Sequence, residues 1–291
     1  MSEADDFRLD KARVRAAFAR AADTYEEHAV LQREVQHRLL ERLDWVKLQP
    51  RQVVDLGCGI GDALDQLARR YRQASLVGVD FAPEMVARAR CRGRWLRRPL
   101  AVCGDIECLP LPKRHFQLAV SSAALQWCES LDRAFAEVRR ILAPGGLWMF
   151  TTFGPDTLRE LRAAFAAVDG GAGAHVNAFL DMHDIGDALL RAGFADPVMD
   201  QETLTLTYPD LTALIRDLRG VGVRNALAGR GRGLFGPRRL IAVAEAYARE
   251  FGVDGRLPAT WEVVYGHAWV PDAPPPGGPP GGRFIPIAPV R

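Results

Sequence analysis

The sequence predicts an α/β chain built on a doubly wound, seven-stranded, mostly parallel sheet, with a helical lid ahead of it and a helical insertion before the last strand. Two observations carry this expectation. From residue 53 to residue 152, short apolar runs bounded by turn residues alternate with stretches of helical periodicity, the pattern of parallel strands joined by crossover helices. The first of those runs, Val53-Val54-Asp55-Leu56, ends in Gly57, Gly59 and Gly61 and opens into a helix, as a backbone must that turns tightly and approaches a ligand.

The elements follow in order. Val14, Phe18, Ala21 and Ala22 share one helical face and Leu31, Val35 and Leu39 another, which predicts two lid helices broken near Asp23-Thr24. Strands are expected at Val53 to Leu56, Ser75 to Asp80, Leu100 to Gly104, Phe116 to Ser121 and Gly146 to Thr152. Between them fall helices at Asp62 to Arg70, from Pro83, and at Ser130 to Leu142. Pro83 suits a first helical turn because its missing N–H costs nothing there, and Pro144-Gly145-Gly146 should stop the preceding helix before the fifth strand. Beyond Gly154 the pattern predicts helices at Asp156 to Val168 and His183 to Ala192, then a strand at Val198 to Tyr208 in which Leu204, Leu206 and Tyr208 alternate with threonines. Helices at Leu211 to Gly220 and Arg238 to Phe251 precede a last strand at Trp261 to Val270. The expected organisation is one domain over residues 1–272: a lid at 1–47, a cofactor-binding core at 48–153, and C-terminal strands with a helical cap at 154–272. Residues 273–291, rich in Pro and Gly, read as a disordered tail.

Composition narrows the function. With 291 residues, 48% of them hydrophobic, the chain can bury a substantial core. Residues 1–10 are acidic and polar, and no later apolar run approaches the ~20 residues that span a bilayer, so a cytoplasmic location without membrane contact is expected. Cys58, Cys91, Cys103, Cys108 and Cys128 form an odd set without CxxC spacing, and no HxxxH or HxH pair is present, so neither a disulfide framework nor a metal site is expected. His175, His183 and His267 accordingly read as structural. A net charge of +2 gives no argument for nucleic acid, although arginines crowd residues 88–98 and 230–239.

In open α/β sheets the ligand lies beyond the carboxyl ends of the strands. Gly57 to Gly61, Asp80 and Asp105 all fall at such ends. A carboxylate at Asp80, about twenty residues after the glycines, can accept hydrogen bonds from both hydroxyls of a ribose. Asp105 could accept from an adenine amino group while the Ile106 amide donates to the ring. Each acid alone could equally be a helix cap or turn residue; three strand-end features in the right order favour a nucleoside-containing ligand. A dinucleotide fingerprint would need a glycine at Asp62, and a P-loop would need Lys-Ser or Lys-Thr after the glycines; both fail.

What remains, Asp55-x-Gly57-x-Gly59-x-Gly61, resembles motif I of class I S-adenosylmethionine-dependent methyltransferases. Asp80-Phe81-Ala82-Pro83-Glu84-Met85 is similar to their second motif, which implies that Phe81 and Met85 wall the adenine. Ser121-Ser122-Ala123-Ala124-Leu125-Gln126-Trp127 and Ala143-Pro144-Gly145-Gly146 are similar to their post-strand motifs. The resemblance implies a Rossmann-like sheet of the class I methyltransferase type, S-adenosylmethionine as cofactor, and Asp55, the three glycines, Asp80, Phe81, Met85, Asp105, Ile106 and Ser121 as its contacts. Two positions depart from the pattern: Gln117 stands where an Asp is common, and Ser122-Ala123 where closer relatives show Asn-Leu.

The flanks suggest the acceptor. Phe18-x-x-Ala21-Ala22-x-x-Tyr25 with Leu31-Gln32-Arg33-Glu34-Val35 resembles the N-terminal helices of the malonyl-acyl-carrier-protein O-methyltransferase family of biotin synthesis. Thr152-Phe153-Gly154-Pro155-Asp156-Thr157-Leu158, Asp181-Met182-His183-Asp184-Ile185-Gly186-Asp187 and Leu218-Arg219-Gly220-Val221-Gly222 extend the likeness. It runs over about residues 10 to 271. The partner implied is an acyl carrier protein bearing a malonyl group, met by a monomer. A malonyl carboxylate is already ionised near pH 7, so no general base is needed; the task is to bind it, align it and exclude water. Tyr25, Gln126 and Trp127 are expected to wall the acceptor site. Arg224, with Arg159 in reserve, is expected to pair with the carboxylate bidentately. The arginine clusters, above all Arg230 and Arg232, are candidates for contact with an acidic carrier. Two alternatives stay open: an arginine hydroxylase like an assembly factor of respiratory complex I, which the C-terminal half resembles more distantly, and a non-catalytic nucleoside-binding module.

Overall fold

The computed structural model describes residues 9–92, 99–170, 179–223 and 236–272. Arg224, Arg230, Arg232, His175 and the tail lie outside these residues, as do Arg94, Arg97 and Arg98. The chain begins with the lid helices α1 (Lys11–Ala21), α2 (Tyr25–His28) and α3 (Val30–Glu41), the last followed by a 3₁₀ turn at Arg42–Trp45. The core follows as β1 (Gln52–Leu56), α4 (Asp62–Arg70), β2 (Ser75–Asp80), α5 (Pro83–Ala89), β3 (Leu100–Cys103) and β4 (Phe116–Ser121). A 3₁₀ turn at Leu125–Trp127 leads to α6 (Leu131–Ile141) and β5 (Leu142–Phe153). The remainder comprises α7 (Arg159–Asp169), α8 (Met182–Arg191), β6 (Ala195–Tyr208), α9 (Leu211–Gly220), α10 (Pro237–Phe251) and β7 (Leu257–Trp269).

The seven strands form one sheet in the order β3-β2-β1-β4-β5-β7-β6. β1 to β5 pair in parallel, and β7 runs antiparallel to both β5 and β6. The strand order therefore reverses between β1 and β4, which places a crevice over their carboxyl ends. Side chains alternate across the sheet: Val53 and Leu118 pack with α3, α4 and α10 on one face, while Val54 and Ala119 pack with α6 and α8 on the other. The first of these cores runs without a break from Leu31, Val35 and Leu39 of the lid to Tyr247 and Trp261 near the C-terminus. No described helix is long and apolar enough to cross a membrane.

Helix ends are set by local chemistry. Asp62 and Asp65 occupy the first turn of α4 and Arg69 and Arg70 its last, matching the helix dipole. Ser130, Asp181 and Asp210 cap α6, α8 and α9 by accepting from the amides of Arg133, His183 and Ala213. His183 then sits at the exposed start of α8 beside Asp181, and His267 lies within β7.

Four starts differ from expectation by three residues or more. β6 begins at Ala195, not Val198, because Ala195 already pairs with Trp269 ahead of a register shift. The fifth strand starts at Leu142, not Gly146, because Leu142 already pairs with Phe116; the Pro-Gly-Gly residues are taken up in a register shift, with Gly145 at φ +68° bonded to Val270. The helix expected from Asp156 starts at Arg159. The Asp156 amide donates to Glu262 at 2.7 Å and the Leu158 amide to the Thr260 carbonyl at 2.7 Å, so this turn is held by β7. β7 itself begins at Leu257, four residues early, extended by pairing with β6; Pro258 is tolerated where the strand has a single neighbour. Gln117 also has its reason: its side-chain carbonyl accepts from the Arg51 and Gln52 amides and fixes the start of β1 to β4.

Candidate functional site

The carboxyl ends of β1, β2 and β4 open into a cleft enclosing about 620 Å³. Its floor is the glycine turn after β1. Gly57 and Cys58 donate their amides to the Val79 carbonyl at 2.7 and 3.0 Å, drawing the turn onto β2. A Cβ on Gly57 would lie 2.3 Å from that of Ala124, so the close approach of the β4 loop demands glycine. Gly59 differs. It has φ +51° and a Cβ there would meet nothing within 4 Å, because the position faces the cleft. Gly61, left-handed, starts α4.

Asp80, at the end of β2, accepts from the Gly59 amide at 2.9 Å through Oδ2 and from the Ala82 amide at 2.9 Å through Oδ1. Burial raises its pKa to about 6 against the opposing pull of those two amides. Phe81 and Met85 line the cleft beside it, and Asp105 and Ile106 line its far end. The lid supplies the opposite wall. Phe18 meets Phe81 and Trp127 edge to face, at centroid distances of 5.8 and 5.4 Å, and Tyr25, half-buried, packs against the same small cluster as Phe18; desolvation pushes its phenol up and keeps it neutral.

A second chamber of about 400 Å³ adjoins the first and shares Tyr25, Gly57, Gly59 and Ser122 with it. Asp55, Arg33 and Gln36 line it. Asp55 is 2% exposed, and its Oδ2 is a buried oxygen without a hydrogen-bond partner among the described residues; Gln36 Nε2 and Ser121 Oγ are in the same condition. Burial, then the neighbouring Asp80 and Asp62, raise Asp55 to about 8. A native fold retains orphaned buried polar atoms at a cost, and two of them, on Asp55 and Gln36, lining one cavity suit a polar, cationic ligand end.

The structure thus brings Tyr25, Gly57, Gly59, Asp80, Phe81, Met85, Asp105, Ile106 and Trp127 to the main cleft, and Asp55 to its annex. It does not bring Gly61, Ser121, Gln126 or Arg159 to the cleft surface. The Gln126 amide donates to the Ala123 carbonyl at 2.6 Å and accepts from Thr152 at 3.4 Å, which turns it into the loop. Arg159 is exposed and pairs with Asp156 and Glu160 at 3.6 and 3.5 Å. Of the arginines crowded at residues 88–98, Arg88 pairs with Asp23 and Arg92 with Glu26 and Asp62, so these stitch the core to the lid.

Sequence reasoning missed Lys11. Its ammonium reaches from α1 across the cleft edge to Asp105 Oδ2 at 2.6 Å and also pairs with Glu107. Burial works against its charge, yet the bonds to Asp105 and Glu107 outweigh that and raise its pKa. Glu107 in turn accepts from the Glu129 and Ser130 amides and pairs with Arg133. The only sequence signal was a lysine opening an amphipathic helix. Replacing Lys11 with Met should leave the buried Glu107 short of one counter-charge, costing about 1–2 kcal/mol and lowering Tm by about 2–6 °C in a thermal melt. Lys11→Arg should recover part of the loss; an unchanged Tm for the Met variant would show that the latch contributes nothing.

A family model described as "Methyltransferase domain" matches residues 54–150. Over more than nine-tenths of its length the chain is similar to proteins named malonyl-[acyl-carrier protein] O-methyltransferase. That of Halorhodospira halophila is 52% identical over 270 residues, covering 92% of this chain and 91% of that one. That of Laribacter hongkongensis is 50% identical over 283 residues and covers 94% of each. Among solved structures, the YcgJ protein of Bacillus subtilis superposes with a TM-score of 0.56 at 16% identity, over 81% of this chain and 99% of that one. Phosphoethanolamine N-methyltransferase 2 of Haemonchus contortus, in complex with S-adenosyl-L-methionine, gives 0.53 at 16% identity, over 86% of this chain and 56% of that one. At these identities the two structures show a shared fold.

Proposed function

The chain belongs to the malonyl-[acyl-carrier protein] O-methyltransferase family, and from that premise we propose that it methylates the free carboxylate of a malonyl thioester on acyl carrier protein, using S-adenosylmethionine. The methyl ester formed would prime pimeloyl synthesis for biotin, in the cytoplasm, with the enzyme acting as a monomer. The observation that carries the reading is the reach of the kinship: identity of 52% covers 92% of the chain, so it takes in the lid and the C-terminal strands as well as the 54–150 core.

The site's chemistry fits that cofactor. Gly59 leaves open the space a side chain would fill, and Asp55 and Gln36 present unpartnered polar atoms in the second chamber. In this reading Asp80 accepts from the ribose hydroxyls, Asp105 and Ile106 meet the adenine between Phe81 and Met85, and Asp55 with Arg33 holds the amino-acid end. When bound, S-adenosylmethionine supplies an electrophilic methyl group on a positively charged sulfur. The chain's own contribution is orientation and dryness: Phe18, Tyr25 and Trp127 close an aromatic wall over the cleft, where a bound carboxylate loses its water and becomes a better nucleophile. No side chain need remove a proton, because the carboxylate is ionised near pH 7. Arg224, which follows Val223 in sequence, is assigned to grip that carboxylate; Arg159 is the weaker candidate, engaged as it is with Asp156 and Glu160.

The relatives' names do not favour the arginine-hydroxylase alternative. The test is intact-mass analysis of malonyl-carrier protein after incubation with the enzyme and S-adenosylmethionine. A methyl adduct is expected on malonyl-carrier and none on acetyl-carrier. Cofactor binding without any adduct would make the chain a non-catalytic module and overturn the reading.

A further inference from the structure

The arginines on the surface of this protein divide into two kinds. Those at Arg88 and Arg92 are spent on the lid's acids, and Arg38 and Arg42 on Glu202 and Asp200. By contrast, Arg13, Arg15 and Arg20 of α1 and Arg216 and Arg219 of α9 are exposed, and among the described residues their side chains meet no acid. α1 itself contains no acidic residue. Asp217 of α9 is already engaged, by His28 at 3.1 Å and Tyr208 at 2.8 Å, which leaves Glu27 as the one uncommitted acid on the α2 turn between them.

These two helices meet at the cleft. Thr24 donates to the Gly220 carbonyl at 3.3 Å, a Cβ on Gly222 would lie 2.9 Å from the Phe18 ring, and Val223 packs with Val14, Phe18 and Trp127. The turn that follows α9 is thus laid against α1 beside the aromatic wall. Arg15 follows Lys11 by four residues, one helical turn along the same side, and Lys11 reaches into the cleft edge. Five unneutralised guanidinium groups are therefore carried on the outer faces of two helices that border the cleft's aromatic wall.

We propose that Arg13, Arg15, Arg20, Arg216 and Arg219 form the docking surface for an acidic face of the carrier protein that presents the malonyl group. This rests on the function proposed above. Unpaired arginines need not first break an ion pair to meet a partner, and several of one sign on neighbouring helices steer an acidic partner to them and reject basic ones. A carrier held on these two helices would stay outside while its tethered acyl chain enters the cleft beside them. Arg88 and Arg92, committed to Asp23, Glu26 and Asp62, hold the lid on which this surface is mounted.

Charge reversal tests it. Arg13→Glu with Arg20→Glu, and separately Arg216→Glu with Arg219→Glu, should raise KM for malonyl-carrier at least ~10-fold at low ionic strength, with kcat retained. S-adenosylmethionine affinity and turnover of a malonyl thioester of N-acetylcysteamine, which has no protein to dock, should stay unchanged. Salt should raise the wild-type KM toward that of the variants. Lys113→Glu with Arg114→Glu, exposed cations at the opposite, amino end of β4, serves as the control and should leave KM alone. An unchanged carrier KM in both lid-side variants, or an equal rise in the control, would overturn the docking surface while wild-type methylation still upheld the function. A wild-type protein that methylates neither thioester would overturn the function, and the surface with it.

Discussion

Asp80→Asn is expected to weaken S-adenosylmethionine binding by about 10²- to 10⁴-fold while hardly changing the stability of the unliganded protein. The affinity figure follows from two hydrogen bonds from ribose hydroxyls to a charged acceptor, each contributing about 1.5–3 kcal/mol. The stability side has two opposing parts. Asp80 has a folded pKa of about 6, raised by burial above its unfolded value. For an acid this sign means that stability falls as pH climbs from the unfolded pKa to the folded one and stays lowered above it, by about 3 kcal/mol for a shift of this size. Asparagine removes that penalty. It also leaves one of the Gly59 and Ala82 amides without its acceptor, which costs about 1–3 kcal/mol. The two nearly offset, so Tm should move by only a few degrees while calorimetric titration shows the cofactor affinity collapse. Retained affinity, or a large drop in Tm with affinity lost in proportion, would mean that Asp80 is only the clasp of the glycine turn.

How much of this site was legible in the sequence depended on whether a residue acts along the chain or across it. Asp80 and Gly57 to Gly61 could be placed because strand ends and left-handed turns are local properties, written in apolar runs and glycine spacing. Tyr25 and Trp127 were placed by resemblance alone, yet they do meet at Phe18. Lys11 could not be found: its partner Asp105 lies 94 residues away, and nothing periodic connects them. The same holds for Gln126, whose side chain is satisfied by Ala123 and Thr152 within its own loop and the next strand, a competition that composition does not encode. The fold was legible almost element by element, because buried parallel strands and amphipathic helices announce themselves by period. The boundaries that moved, at Leu142, Arg159, Ala195 and Leu257, are those set by pairing with a strand distant in sequence. The arginines show the limit most clearly. Crowding in the sequence falls at residues 88–98, whereas Arg13, Arg15 and Arg20 of α1 and Arg216 and Arg219 of α9 are scattered along the chain and come near one another only because the end of α9 folds against α1.

Cofactor binding should release close to one proton at pH 7, and its affinity should fall toward tenfold per pH unit below about 8. The source is Asp55. Enclosed by the second chamber and facing Asp80, Asp62 and the neutral phenol of Tyr25, it has a pKa of about 8 and is largely protonated in the unliganded protein at neutral pH. A ligand end carrying positive charge stabilises the carboxylate and expels its proton, so each pH unit below the unliganded pKa costs up to about 1.4 kcal/mol of binding. Stability responds with the same sign as at Asp80 and more strongly. The unfolded chain ionises Asp55 near 4 and the folded chain near 8, so the unliganded protein loses stability as pH rises between them, and saturating cofactor restores it. Asp80 and Asp62, both raised by burial, add to the same trend. Titration calorimetry in two buffers of different ionisation heat measures the released proton directly, and Asp55→Asn should abolish the release, flatten the pH dependence and raise the Tm of the unliganded protein at pH 8. An apparent binding enthalpy independent of the buffer would sink the idea. Asp55 would then be ionised before any ligand arrives, and its unpartnered oxygen would need a different explanation from the one that makes the chamber a cation site.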